Sequence, residues 1–156
     1  MLIKIIAVGK VNNPQIALLI KDYETRLKHY INFKINYTKG VRLNPNASKK
    51  VIQKTEREQL LSHIQKGDFI IALDRRGHKC SSFEFAKLLD SKMNRGTKSV
   101  VFIIGGPLGF DQELLDKVDY PLSFSTMTFP HEISLLLLTE QIYRAMTILK
   151  GEKYHK

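Results

Sequence analysis

Apolar, strand-like runs and stretches of helical period alternate five times along this chain, and that rhythm leaves few folds open. LIKIIAVG (2–9) reads as a strand. From Pro14 to Tyr30 the residues Ile16, Leu19, Ile20, Tyr23, Leu27 and Tyr30 keep a helical period, and Pro14 suits a first helical position. FKINYTKGV (33–41) alternates as a strand does, and the polar RLNPNAS follows. A second helix is expected over roughly 47–66, with Gly67 as its C-cap and Lys66 in its last turn. DFIIALD (68–74) is a buried strand. Ser81 and Glu84 have capping-box spacing, and the helix they open puts Phe85, Leu88, Leu89 and Met93 on one face before stopping near Gly96. KSVVFIIGG (98–106) is the most strand-like run. Asp111 can cap a short helix through Val118, YPLSFS (120–125) is a fifth strand, and Pro130 opens a helix to Gly151.

Such alternation means βαβ units: an α/β fold with a mostly parallel sheet and helices on both faces. The 156 residues suit a single domain, 1–156, and 43% hydrophobic content supplies its core. No run approaches the ~18 apolar residues of a membrane span. The N-terminal apolar run lacks a basic leader and a cleavage site, so it reads as a strand rather than a signal peptide. Cys80 is the only cysteine, which excludes an intrachain disulfide and fits a reducing cytoplasm. No H-E-x-x-H and no clustered ligand spacing appears, so no metal is expected.

Charge is uneven. Residues 1–66 hold 13 Lys/Arg against 4 Asp/Glu, whereas residues 67–156 hold 12 against 11. Solvated helix faces explain such lysines as well as an electrostatic footprint for nucleic acid does.

In open α/β sheets ligands bind beyond the carboxyl ends of the strands, and three such ends carry distinctive sequences. LDRRGHK, from Leu73, is either a solvated loop or a phosphate-contacting run through Arg75 and Arg76. GGPLG, from Gly105, is a tight turn or a place where backbone approaches a ligand. Phe110 and Asp111 follow it where a P-loop needs Lys-Ser/Thr, and the first turn, VGKVNN, lacks G-x-G-x-x-G. FSTMTFPH, from Phe124, offers hydroxyls and amides beside Met127 and Phe129, as adenine pockets do; it also suits a plain connection in which Thr128 caps the next helix. His131 is a base or only a structural histidine. Glu140 and Arg144 are spaced for an ion pair, and the chain closes on Tyr154, His155 and Lys156.

VVFIIGGPLGF, SFSTMTFPH and EQIYRAMTI followed by GEKYHK together resemble small bacterial methyltransferases of the knotted SPOUT superfamily, over nearly the whole chain. The resemblance implies a C-terminal trefoil knot, a homodimer and S-adenosylmethionine as cofactor. It implies methylation of N3 of a pseudouridine in a stem-loop of 23S rRNA, with the assembled ribosome as substrate. Carried onto this sequence, the cofactor pocket would use Leu73, Gly105, Phe124, Ser125, Thr126, Met127, Thr128 and Phe129. His155 would contact the target nucleotide with Tyr154 stacking on it or positioning it, and Arg144 or Lys156 would hold phosphate. The tail would order only on RNA and would complete the partner's pocket. The helix from Pro130 would form knot and dimer interface. The resemblance implies an arginine, usual in that group, four residues after the histidine of PH; here Leu135 stands there. A non-catalytic RNA-binding protein of the same fold, a related enzyme with another RNA target such as tRNA, and a flavodoxin-like domain are the alternatives; basic charge without tryptophan speaks against the last.

Overall fold

A computed structural model describes residues 1–40 and 47–155. Five parallel strands lie in the order β2-β1-β4-β3-β5: β1 Leu2–Val8, β2 Asn32–Thr38, β3 Phe69–Lys79, β4 Ser99–Ile104 and β5 Tyr120–Ser123. The helices are α1 Pro14–Leu27, α2 Lys49–Leu61, α3 Ser82–Asn94, the short α4 Gln112–Leu115 and α5 His131–Leu149. The polar stretch 42–48 and the expected end of the second strand lie largely outside the described residues.

Successive strand residues point to opposite faces, so each buried strand feeds two cores. Ile3, Ile5, Phe102 and Ile71 face α1, α3 and α5, together with Ile20, Leu89 and Leu138. Ile6, Val8, Val101 and Ile103 face α2 and α4 through Leu60 and Leu114. β4 is buried throughout, which is why its sequence carries no polar alternation.

Local signals set most helix starts. The Asn13 side chain accepts from the Gln15 and Ile16 amides ahead of Pro14. Ser81 and Glu84 form the reciprocal capping box, and Asp111 caps α4.

Several boundaries differ from expectation, and α1 and α4 stop at Leu27 and Leu115, short of Tyr30 and Val118. α2 ends at Leu61, where the His63 and Ile64 amides fall back to carbonyls three residues away. Gly67, at φ +92°, serves instead the turn that leads into β3. α5 begins without a side-chain cap, so Thr128 does not cap it. β3 runs on to Lys79: Leu122 of β5 is in register with both Leu73 and His78, and the residues between them leave the ladder. Gly77 lies so close to β5 that a Cβ there would stand 2.6 Å from the Pro121 carbonyl atoms.

Candidate cofactor site

The irregular middle of β3, where it leaves the β5 ladder, and the carboxyl ends of β4 and β5 border a cavity of about 550 Å³. Seven of the eight expected cofactor residues line it: Leu73, Gly105, Phe124, Ser125, Met127, Thr128 and Phe129. Thr126 belongs to the same segment but is not in the lining. Two glycines in the wall are required by packing rather than by φ. A Cβ on Gly105 would meet the Phe110 ring at 2.9 Å, and one on Gly106 would meet the Glu56 carboxylate at 2.5 Å. Only Gly109 of this turn takes positive φ, at +67°. Phe129 and Met127 are 40% and 71% exposed, so the apolar rim is open to a ligand.

Asp74 and Arg76, both in the lining, satisfy each other. Arg76 donates through Nε and one terminal nitrogen to the two carboxylate oxygens at 2.8 and 2.9 Å, and its amide donates at 2.9 Å. Those hydrogen bonds hold the Asp74 carboxyl below the usual range. An acid so stabilised as its anion is a weak base. Arg75, exposed and without an ion pair among the described residues, is the better placed of the two arginines for phosphate.

His131 also lines the cavity. Its Nε2 lies 3.3 Å from the Lys10 carbonyl, which only accepts, so Nε2 carries the proton of that bond. Next to it Glu132 accepts from the Asn12 and Asn13 amides at 2.6 and 3.4 Å, tying the loop after β1 to the start of α5.

The tail residues are elsewhere. Tyr154 packs edge-on against Tyr143 at 4.9 Å, and the Arg144 guanidinium lies 4.8 Å from its ring centre. Its hydroxyl donates to Glu140 at 3.1 Å and meets the Tyr23 hydroxyl at 3.3 Å. Burial, the Tyr23 hydrogen bond and the Glu140 charge together raise its pKa far above the ordinary tyrosine value. Arg144 also donates to Glu140 at 2.6 and 3.0 Å, the expected ion pair. His155 stands edge-on to Phe83 at 4.6 Å, with Nδ1 3.2 Å from Arg144. A guanidinium only donates, so Nδ1 accepts and the ring proton sits on Nε2. Tyr154 and His155 thus meet side chains of α1, α3 and α5 in their own chain. Among the described residues, none of Arg144, Tyr154 and His155 lines the cavity. Lys156 lies outside the described residues.

Leu135 is fully buried in the core beneath α5, with its carbonyl accepting from Thr139. The departure from arginine thus lies in the core, not on an RNA-facing surface. Local patterning also missed Glu56, Gln53 and Glu132, whose partners are distant in sequence.

The family model described as "Predicted SPOUT methyltransferase" matches residues 1–155. The chain belongs to this SPOUT methyltransferase family. It is 40% identical over 155 residues to the ribosomal RNA large subunit methyltransferase H of Christiangramia forsetii, covering 99% of both chains. It is 43% identical over 159 residues to the protein of that name from Halothermothrix orenii, covering 100% of both. In fold it resembles a probable methylase family protein from Haemophilus influenzae Rd KW20, with a TM-score of 0.56 and 12% identity over 99% of this chain and 70% of that one. The SPOUT assignment agrees with the parallel sheet and with ligand-binding geometry at its strand ends. Among the described residues no helix is long and apolar enough to cross a membrane, and no group of His, Cys, Asp and Glu is placed to hold a metal ion.

Proposed function

We propose that this SPOUT protein is a cytoplasmic homodimer that methylates N3 of a pseudouridine in 23S rRNA on the assembled ribosome, using S-adenosylmethionine. The observation that carries this is the cavity, which draws the expected cofactor residues together beside β3, β4 and β5. Its volume lies within the range of about 300–1,000 Å³ usual for small-molecule sites. Phe124, Met127 and Phe129 offer apolar walls, and Gly105 leaves backbone close to the space, so the residues present fit an adenosyl group. The relatives' shared name, ribosomal RNA large subunit methyltransferase H, supports the RNA class. A C-terminal trefoil knot is part of the proposal, and membership of the SPOUT methyltransferase family supports it.

When bound, S-adenosylmethionine supplies an activated methyl group on a sulfonium. The remaining work falls to this chain. The segment from Phe124 to Phe129 and the Gly105 turn hold the donor and exclude water, which leaves alignment as the main catalytic demand. With Nδ1 taken by Arg144, His155 keeps its Nε2–H to donate to a uracil carbonyl and orient the base. Tyr154 anchors the tail through Glu140 and Tyr143 and so positions His155. Arg75, Arg144 and Lys156 are the proposed phosphate contacts. The N3 proton leaves by a base or a water relay, and Asp74, already paired with Arg76, is not that base. The tail of one protomer is proposed to complete the cavity of the other. Leu135, as a core residue, no longer favours a non-catalytic protein.

Mass mapping of rRNA from cells lacking the gene, before and after complementation, tests this. Loss and return of one methyl group on a 23S pseudouridine is expected. An unchanged rRNA modification map would overturn the assignment.

A further inference from the structure

One face of α2 grips the glycine turn that walls the cavity. Gln53, Glu56 and Arg57 are spaced three and four residues apart, so they share that face. The Gln53 side-chain amide donates to the carbonyls of Leu108 and Gly109 at 3.1 and 3.2 Å. The Glu56 carboxylate lies against Gly106, where the backbone amide favours its charged form. Arg57 pairs with Asp111 and, at 2.7 Å, with Glu113. Glu56 is 5% exposed and Arg57 8% exposed, which is unusual for such residues unless a partner requires it. The Glu56 carboxylate occupies the space that a side chain at position 106 would need, so the glycine and the glutamate are one device. Burial pushes the Glu56 carboxyl up, and the Gly106 amide partly offsets that.

We infer that Glu56 is a positioning residue for the cofactor, setting through the Gly106 amide the turn against which S-adenosylmethionine is bound. This deepens the proposed function and rests on the cavity being the cofactor site. Glu56 does not line the cavity and touches no reactant. It fixes a backbone that does, while Gln53 and Arg57 hold the following residues of the same turn. α2 therefore acts as a brace whose Lys49 and Gln53 also reach the cavity lining.

The test compares wild type, Glu56→Gln, Glu56→Ala and Gln53→Ala as full-length proteins. Calorimetry reads S-adenosylmethionine affinity, and NMR hydrogen exchange without cofactor reads the Gly106 amide. Glu56→Gln keeps an acceptor oxygen and should bind within about threefold of wild type. Glu56→Ala should weaken binding about tenfold and speed exchange at Gly106 by a similar factor, with the KM for RNA unchanged. A Glu56→Ala protein that folds, binds the cofactor like wild type and protects Gly106 equally would overturn the inference. If Glu56→Ala does not fold, Gln53→Ala decides: faster exchange at Gly109 with weaker binding supports the brace, and no change in either overturns it. Should wild type itself bind no cofactor, the cavity assignment fails, while exchange at Gly106 still decides whether Glu56 holds the turn.

Discussion

The cavity lies at the start of α5 and the tail cluster along its second half, and the two are built in opposite ways. His131 opens the helix at the cavity. Arg144 stands thirteen residues on, about 20 Å away along the axis. The cavity is made of strand ends, glycines and a short apolar segment, held largely through backbone and by α2 behind it. The tail is made of side chains alone: Tyr23, Glu140, Tyr143, Arg144, Tyr154 and His155 bond and stack on one another. A backbone site tolerates changes in its lining but not added bulk in its turns. A side-chain cluster fails when its shared acceptor is removed. If the first region binds the methyl donor and the second meets RNA, damage to each should separate the two steps.

The largest separation should come from deleting residues 154–156. Methylation should fall at least about a hundredfold, because substrate alignment is lost, while S-adenosylmethionine affinity by calorimetry stays within about twofold. A parallel loss of cofactor binding would merge the two regions. Gly77→Val should follow, since its side chain would meet the β5 backbone. An overpacked site of this kind costs about 1–3 kcal/mol, seen as a lower denaturant midpoint, and cofactor binding should weaken with it because β5 leads into Phe124. Glu140→Gln removes the charge that holds Arg144 and accepts from Tyr154. It should destabilise by about 1 kcal/mol, with faster exchange confined to the tail and α5. The smallest effect concerns Tyr30. Its hydroxyl donates to Glu152 at 2.7 Å, which, with burial and the Glu152 charge, pushes its pKa up to about 12. With the folded value above the ordinary 10.0, stability is fully present below pH 10 and declines as pH rises toward 12. Tyr30→Phe should flatten that part of the alkaline limb, read by thermal melts across the window.

The same contrast separates what a sequence shows from what it hides. Parallel βα order, the Asn13, Ser81 and Asp111 helix starts and the three cavity-lining segments are local patterns, and all are visible in the residues. The end of α2 was misplaced because Gly67 is equally good as a C-cap and as a turn glycine; its φ of +92° serves the latter. The extension of β3 depends on Leu122, and the order of the tail depends on Tyr23, 131 residues from Tyr154. Glu56 reads as one more charge on a polar helix until Gly106 is placed against it. Leu135 shows the converse, a position that looks functional in sequence and is core packing in the structure.

The central claim, that cavity and tail are separate and meet across a dimer, is tested most directly by a heterodimer. One protomer lacks residues 154–156; the other keeps its tail but has the cavity blocked by Gly105→Val, aimed at the Phe110 ring. Each mutant homodimer should be inactive. In the mixed dimer one of the two symmetry-related sites has both an open cavity and a tail, so about half the wild-type methylation rate should return. A mixed dimer as inactive as its parents would contradict the account.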